Sequence, residues 1–150
     1  MTKDIADSIL CSLIERFATA DCCWFTSVRP EGRPHSTPIW HVWCDGKTYV
    51  VTTSAAIKTA NISRQPAVVL HHPDPMNPII VEGVAALAPE ARTNIRPFFQ
   101  AKYDWDIAES PDYNAIIAVT PTKLLAWGQY GEGRWQGPAI ARCPVNSSQP

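Results

Sequence analysis

The sequence predicts a mainly β (α+β) fold: an antiparallel β-barrel with flanking helices, formed by one domain over residues 1–150. About seven short runs rich in β-branched and aromatic residues are typical of strands. Most of the connections between these runs are hairpin-length turns, which favour antiparallel neighbours. Closure into a barrel removes the exposed edges of such a sheet. The chain is 45% hydrophobic, which suits a globular domain with its own core.

The N-terminal part of the chain predicts one helix followed by a hairpin. Apolar residues recur at helical spacing and indicate an amphipathic helix over about residues 4–18. Strands are expected over 22–28 and 34–43, joined by a turn that contains Pro30 and Gly32. Asp45-Gly46 is a strong signal for a second hairpin.

The rest of the chain alternates predicted strands with two helices. Thr53-Ser54 offers an N-cap for a helix over about 55–65, which Pro66 ends. A second helix is expected over 89–103, with a kink near Pro97. The tail over about 131–150 carries no periodic pattern and is expected to be irregular. The remaining strands are predicted over 47–53, 67–70, 79–87, 116–119 and 124–127.

Charge and composition restrict the classes of function. The net charge is −1 and the basic residues are scattered, so we expect no nucleic-acid partner. No apolar run approaches the ~18 residues that span a membrane, and the N-terminus has no signal-peptide pattern. We therefore expect a cytoplasmic protein without a membrane partner. Five cysteines without a CxxC motif favour buried reduced thiols over disulfides, and the histidine spacing predicts no metal site.

The stretch from Gly32 to Asn61 contains the most informative combination of residues. Pro38 cannot donate to a sheet ladder, so main-chain groups near it are free to bond the polar edge of a planar heterocycle. The strand that ends at Thr52 and Thr53 leads into a helix start, which favours an anion. Lys58 adds a positive charge there. This pattern predicts a site with one end for a ring and the other for a phosphate.

Several motifs in this order resemble the FMN-binding split barrels of the pyridoxamine 5′-phosphate oxidase family. Residues 32–40 read G-R-P-x-x-x-P-x-W, and a Thr-containing strand end and a Lys-bearing helix follow a hairpin. Val81-Glu82-Gly83 is similar to the family's V-E-G strand, and 121–127 to its P-x-x-x-x-x-W ending. The resemblance covers about residues 22–128. It implies a split barrel, FMN as cofactor, and a homodimer with the flavin at its interface.

The resemblance also implies a role for individual residues. Main-chain groups of residues 37–40 are expected along the isoalloxazine, Val51 and Thr52 along the ribityl chain, and Ile57 and Lys58 at the phosphate. Trp127 is expected near the ring. The full predicted cofactor-binding set is Thr37, Pro38, Ile39, Trp40, Val51, Thr52, Thr53, Ile57, Lys58, Asn61 and Trp127.

Departures from the family pattern leave alternatives open. Ala56-Ile57-Lys58 stands where the family often has Ser-Arg-Lys, which predicts weaker phosphate binding, and the late Arg-x-His substrate motif is absent. Oxidation of pyridoxamine phosphate itself is therefore not expected. The leading hypothesis is an FMN-dependent oxidoreductase acting on an unassigned small molecule, with no catalytic side chain assigned.

Other functions of the same fold are a deazaflavin-dependent reductase, a flavin store, a haem-handling protein and a structural dimer. A haem-handling protein would use a histidine as its axial ligand, and the candidates are His35, His41 and His71. At a flavin, His71 or His72 is a further candidate, as a general acid.

Overall fold

The computed structural model describes residues 3–147, which form one curved antiparallel sheet with helices packed against it. Two 3₁₀ turns lie at Pro89–Ala91 and Ile107–Glu109. The helices are α1 (Lys3–Thr19), α2 (Ile57–Arg64), α3 (Arg92–Tyr103) and α4 (Gly137–Ala141). The strands are β1 (Cys23–Val28), β2 (Pro34–Ile39), β3 (Val42–Cys44), β4 (Lys47–Thr52), β5 (Ala67–His71), β6 (Ile79–Leu87), β7 (Ala115–Ala126) and β8 (Gly133–Gln136).

The strand order confirms the predicted split barrel. The strands pair in the order β2-β1-β5-β6-β7-β4-β3, and β8 also pairs with β7. The two end strands, β2 and β3, are consecutive in the chain and do not pair with each other within the described residues. The single strand predicted over 34–43 is therefore wrong: Trp40 and His41 break it into β2 and β3. That break lies where the barrel is split.

Helix α1 packs its apolar face into the barrel, as the helical spacing predicted. Leu10, Leu13, Ile14 and Phe17 are all buried against the strands. Because burial of each such side chain contributes about 1.5–3 kcal/mol, α1 is part of the core rather than an appendage. We call the region enclosed by the strands and α1 the barrel interior.

A second buried cluster lies outside the barrel, between α3 and strands β3, β4 and β7. Phe98, Phe99 and Ile95 of α3 pack there against Val51 and Ile116. Pro97 lies inside α3 without ending it, so the predicted helix over 89–103 is a 3₁₀ turn followed by a regular helix. This cluster fixes α3 and the segment after it beside the end of β4.

One long strand replaces the two strands predicted at the end of the sheet. β7 continues through Pro121, which pairs with Gly83 at a register shift in β6. This shift is a β-bulge. Because proline has no N–H group to donate to the ladder, the bulge lets the strand continue through Pro121 without interruption. A Cβ on Gly83 would lie 2.7 Å from the Thr120 carbonyl oxygen, so only glycine allows this approach.

The tail is more ordered than its composition suggested. Residues 133–136 form β8 against β7, and α4 follows directly. Cys143 bonds to Cys11 of α1, so the expectation that all cysteines are reduced is wrong. The two are 132 residues apart, and only the tertiary fold brings them together. Beyond the bond, the Ser147 hydroxyl accepts from the Trp43 N–H at 2.8 Å, which fastens the tail to β3.

Two searches of the described residues bear on the classes of function. Within residues 3–147, none of the helices has the length and apolar character that crossing a bilayer requires. In the same range, no three His, Cys, Asp or Glu side chains are grouped so that they could hold a metal ion.

Candidate functional site

A cleft of about 450 Å³ opens where the barrel is split. It lies between the end of β2, the end of β4, the start of α2 and the segment between α3 and β7. We call this site the cleft. Its lining residues are Cys22, Pro38, Ile39, Trp40, Val51, Thr52, Lys58, Trp105 and Tyr113.

Six residues of the predicted cofactor set line the cleft together. They come from two chain segments, residues 38–40 and residues 51–58, which the β3–β4 hairpin separates in sequence. The hairpin itself follows the prediction: Asp45 and Gly46 both have positive φ, and Cys44 pairs with Lys47. The hairpin therefore brings the expected ring end and phosphate end into one cleft.

The other five predicted residues lie around the cleft rather than in its lining. Thr37 is on β2, and its hydroxyl oxygen is buried without a hydrogen-bond partner in the described residues. The Thr53 carbonyl accepts from the Ala56 N–H and the Thr59 hydroxyl. Ile57 is exposed beside Lys58, and Trp127, 47% exposed, follows the end of β7. Asn61 is buried and donates to the Ser27 hydroxyl at 3.0 Å, so its side chain supports the fold.

The start of α2 is uncapped, contrary to the prediction of a Thr53-Ser54 N-cap. The N-cap residue is Ala56, which has no side-chain acceptor. Ser54 instead exchanges hydrogen bonds with Asn114, at 2.8 Å and 3.2 Å. Because the first N–H groups of a helix have no intrahelical partner, they remain available to an anion here.

Lys58 is the basic residue of the cleft lining. It is half-buried, and loss of hydration lowers the pKa of its ammonium group. Within residues 3–147 it forms no salt bridge. Burial, and after it the positive charge of Lys58, lowers the pKa of His35, whose Nδ1 is buried without a partner in the described residues. This end of the cleft therefore favours a negatively charged group.

The free edge of β2 presents main-chain groups at the other end of the cleft. In an antiparallel ladder, residue pairs that exchange hydrogen bonds alternate with pairs that do not, and the Arg29 N–H to Arg33 carbonyl bond shows which pairs of β1 and β2 are bonded. By this pattern Thr37 exchanges hydrogen bonds with β1, whereas the carbonyl groups of Ser36 and Pro38 point away from β1. This arrangement matches the predicted consequence of a proline in the strand.

Two side chains of α3 form hydrogen bonds with the backbone between β2 and β3. The Tyr103 hydroxyl accepts from the His41 N–H at 3.0 Å and lies 2.9 Å from the Asp21 carbonyl oxygen. The Lys102 ammonium donates to the carbonyls of His41, at 2.6 Å, and Ala18, at 2.9 Å. Burial lowers the pKa of Lys102 to about 8. These contacts keep the backbone at residues 40–41 out of the sheet.

Aromatic rings form one wall of the cleft. Trp40 stacks on Tyr103, with ring centroids 4.4 Å apart and planes 1° from parallel. Trp105 meets Trp40 edge-on at 5.9 Å and Tyr113 at 5.3 Å. Three further residues line the cleft from outside the sequence motifs and were not predicted: Cys22, Trp105 and Tyr113. The signal that was available is the pair of aromatic residues in the short segment after α3.

The structure separates the four histidines. His41 is in the barrel interior, where its Nε2 lies 2.8 Å from the Phe17 carbonyl and burial lowers its pKa to about 3. His71 stacks on Trp24, with ring centroids 6.2 Å apart. The Nδ1 of His72 accepts from the Asp74 N–H at 3.0 Å. His35, on β2, is the histidine whose pKa the charge of Lys58 helps to lower. None of the four is in the cleft lining.

Comparison with known proteins adds evidence from sequence and fold. The model of the pyridoxamine 5′-phosphate oxidase family matches residues 13–128. No curated protein matches the chain. A solved F420 reductase is 25% identical, with a TM-score of 0.61, over 73% of this chain and 94% of its own.

Two more distant structures share the fold. A haem-binding protein from Mycobacterium smegmatis is 15% identical to this chain, with a TM-score of 0.68. The match covers 89% of this chain but only 60% of that protein. A protein related to general stress protein 26, of the pyridoxinephosphate oxidase family, comes from Clostridium acetobutylicum. Its TM-score is 0.69 at 10% identity, and the match covers 89% of this chain and 98% of that one.

Proposed function

The chain belongs to the pyridoxamine 5′-phosphate oxidase family, and on that premise we propose that it is an FMN-binding oxidoreductase that acts on a small molecule. The observation that carries the proposal is the cleft. It joins Pro38, Ile39 and Trp40 at one end with Val51, Thr52 and Lys58 at the other. A site of this shape suits a cofactor with a flat ring and a phosphate.

The phosphate end supports FMN through three properties. The start of α2 is uncapped, Lys58 is unpaired within the described residues, and loss of hydration around its ammonium favours a bound anion as partner. Donation from helix N–H groups and attraction to a positive charge are the usual means of holding a phosphate. In this proposal Ile57 contributes its main-chain N–H group rather than its side chain.

The ring end supports the same cofactor. The Thr37 hydroxyl is a buried polar group without a partner in the described residues, which is costly unless a ligand bonds to it. The free carbonyl groups along β2 suit the polar edge of the ring, and the Thr52 hydroxyl suits the ribityl chain. FMN would supply a two-electron redox centre. The residues of the cleft would orient it and exclude water.

A homodimer completes the proposal. Large apolar side chains are exposed at and beside the cleft: Trp40, Ile57 and Tyr113. Val84 and Leu87 of β6 are also about half exposed. A second subunit would cover such a surface, and the family resemblance supports a flavin bound between the two subunits. Trp127, outside the cleft lining, would then contact the ring of the partner's cofactor.

The cytoplasm remains the proposed compartment. Cys22, Cys23 and Cys44 are free thiols, whereas the Cys11–Cys143 disulfide is a bond that reducing compartments disfavour. Rapid alkylation of thiols in intact cells, followed by mass spectrometry, measures whether Cys143 is oxidised there. A fully oxidised Cys143 would contradict the cytoplasmic assignment.

A deazaflavin cofactor is the second candidate, because the F420 reductase is the most similar in sequence of the structures compared above. Its ring would use the same contacts. A longer acidic tail requires more positive charge than Lys58 alone supplies, which favours FMN. Haem is less suited, since His41 is buried and hydrogen-bonded in the barrel interior.

The test begins with the absorption spectrum of the purified protein and an FMN titration of the apo form. We expect one FMN per subunit and a Kd that rises about tenfold in Lys58→Ala, since one phosphate contact to a charged group contributes about 1.4 kcal/mol. Lys47→Ala, at the far end of β4, is the matched control and leaves the Kd unchanged.

Parallel titrations with F420 and haemin separate the alternatives. Saturation by F420 with no response to FMN would favour the deazaflavin reductase. A Soret band after addition of haemin, lost in His35→Ala or His71→Ala, would favour haem handling. A protein that binds none of the three would contradict the proposed function.

A further inference from the structure

We propose that the Cys11–Cys143 disulfide is a reversible thiol switch, which fastens the end of the chain over the open edge of β3 when it is oxidised and releases it when it is reduced. We call residues 143–147 the strap. None of the strap residues lines the cleft. The inference goes beyond the proposed function and does not depend on FMN.

One side of the strap follows α1. Cys143 is bonded to Cys11 at one end of the strap, and the Ser147 hydroxyl donates to the Ala18 carbonyl at 3.4 Å at the other. Cys11 and Ala18 are seven residues apart, so they lie on one face of the helix and about 10.5 Å apart along its axis. Four residues in extended conformation span that distance. Between the two ends, Val145 packs against the buried cluster of the barrel interior.

The other side of the strap bonds to β3. β3 is an end strand of the sheet, so one of its edges has no neighbouring strand within residues 3–147. The Ser147 N–H donates to the Trp43 carbonyl at 2.7 Å, and the Trp43 N–H donates to the Ser147 hydroxyl at 2.8 Å. The Asp45 N–H donates to the side-chain carbonyl of Asn146 at 3.0 Å. Because unpaired backbone groups leave a strand edge open to water and to other chains, the strap protects this edge.

Apart from the disulfide, few contacts hold the strap in place. Pro144 and Asn146 are exposed, and Val145 is only partly buried. A cavity of about 470 Å³ lies between the strap and the hairpin turn at Asp45-Gly46. Ordering a residue of a free chain costs more free energy than one exposed hydrogen bond returns. The bond to Cys11 removes most of this cost, because it keeps the strap beside α1.

The cysteine pair is placed for exchange with a small thiol. Cys11 is only half-buried, and Cys143 lines the cavity beside the strap. Oxidation by glutathione disulfide joins the two Sγ atoms, while the two electrons and the two thiol protons pass to the glutathione sulfurs. Reduction begins when a glutathione thiolate attacks one sulfur of the bond and forms a mixed disulfide. Since cytosolic disulfides are usually transient, the bond is expected to respond to redox conditions in the proposed compartment.

The first test measures whether the bond is reversible. The purified protein is equilibrated in mixtures of reduced and oxidised glutathione, its thiols are alkylated, and the intact mass is determined. We expect the bond to be closed in excess oxidised glutathione and open in excess reduced glutathione. A bond that stays closed in excess reduced glutathione, or one that does not form in excess oxidised glutathione, overturns the switch.

The second test measures release of the strap by hydrogen exchange. The amides of Trp43 and Asp45, which donate to the strap, are followed by NMR in the oxidised and the reduced protein. Val81 of β6, a strand paired on both sides, is the internal reference for unfolding of the whole domain. We expect reduction to speed exchange at Trp43 and Asp45, relative to Val81, by about tenfold, which is the effect of losing one hydrogen bond.

A variant shows whether the disulfide controls the strap. Ser147→Ala removes the hydroxyl that accepts from the Trp43 N–H. We expect it to speed Trp43 exchange about tenfold in the oxidised protein and to have no effect in the reduced protein, where the strap is already released. Ser63→Ala is the matched control, because the Ser63 hydroxyl bonds within α2, and it should change the Trp43 amide in neither state.

The outcomes separate this inference from the proposed function. Equal effects of Ser147→Ala in the two redox states would mean that the strap is held without the disulfide, which overturns the inference. Equal acceleration of Trp43 and Val81 on reduction also overturns it, because the bond would then only stabilise the domain as a whole. All of these measurements are made without FMN, so they are independent of whether the protein binds it.

Discussion

The barrel interior and the cleft contain the same kind of side chain in opposite situations. Trp43 in the barrel interior is fully buried and packs edge-on against Phe17 at 6.0 Å. Trp40, three residues earlier, is half-exposed and lines the cleft. The residue type is identical, so the difference arises from the backbone between them, where β2 ends and β3 begins.

The break at residues 40–41 therefore separates the buried core from the candidate site. On one side of it, apolar side chains are enclosed by strands and α1. On the other, an equally large ring is held by one stacking partner and left open to a ligand. Tyr103 and Lys102 occupy the boundary through their hydrogen bonds to the His41 backbone. Changes on the two sides should therefore affect different measurements.

The largest effect is expected from exchanging the two tryptophans for alanine. Trp43→Ala should lower the free energy of unfolding by about 3–5 kcal/mol, because it leaves a large cavity in the barrel interior. Trp40→Ala should cost about 1 kcal/mol or less, yet weaken FMN binding. Urea unfolding followed by circular dichroism measures the first quantity and an FMN titration the second. Equal losses of stability in Trp43→Ala and Trp40→Ala would contradict the difference between the barrel interior and the cleft. If Trp43→Ala does not fold, Trp43→Phe takes its place.

The next effect concerns the disulfide that joins α1 to the tail. Cys143→Ser should lower the stability by about 2–4 kcal/mol, since the bond closes a long loop and restricts the unfolded chain. FMN binding by the folded variant should be unchanged, because neither cysteine lines the cleft. Wild-type protein treated with a thiol reductant should match the variant, whereas the variant itself should not respond to the reductant.

The pH dependence of stability, compared between the wild type and His41→Gln, isolates the imidazole in the barrel interior. Burial lowers the pKa of His41 to about 3 from an ordinary value of 6.5, so between these values only the unfolded chain binds the proton. The stability that depends on this imidazole is therefore complete above about pH 6.5 and is lost as the pH falls towards 3. Between pH 7 and 5 this loss is about 2 kcal/mol. Urea unfolding of His41→Gln should show a pH dependence flatter by this amount. An unchanged slope would contradict a buried neutral imidazole.

The smallest effect is expected at the boundary between the two regions. Tyr103→Phe keeps the ring that stacks on Trp40 but removes the hydroxyl that bonds to the backbone of His41 and Asp21. We expect a loss of about 1–2 kcal/mol in stability and a few-fold weaker binding of FMN. Tyr130→Phe, at an exposed ring over Arg16, should change neither quantity. Loss of stability without any change in FMN binding would show that Tyr103 does not position Trp40.

Much of the candidate site could be predicted because its motifs are local. Pro38 cannot donate to a ladder wherever it lies, the Asp45-Gly46 turn joins adjacent strands, and Lys58 follows the end of β4 at Thr52 by six residues. The N-cap assignment was wrong because Asn114, sixty residues away from Ser54, competes for its polar groups. Trp105 and Tyr113 were missed for the same reason, since α3 carries their segment to the cleft only through packing against β4 and β7.

Periodicity and the backbone preferences of single residues were enough to predict the antiparallel strands, the apolar face of α1, the Asp45-Gly46 turn and six residues of the cleft lining. Tertiary structure alone decided the break at residues 40–41, the continuation of β7 through Pro121, the Cys11–Cys143 bond and the aromatic wall. Each of these requires contacts between distant segments. Their free energy comes from packing and pairing that no local pattern encodes.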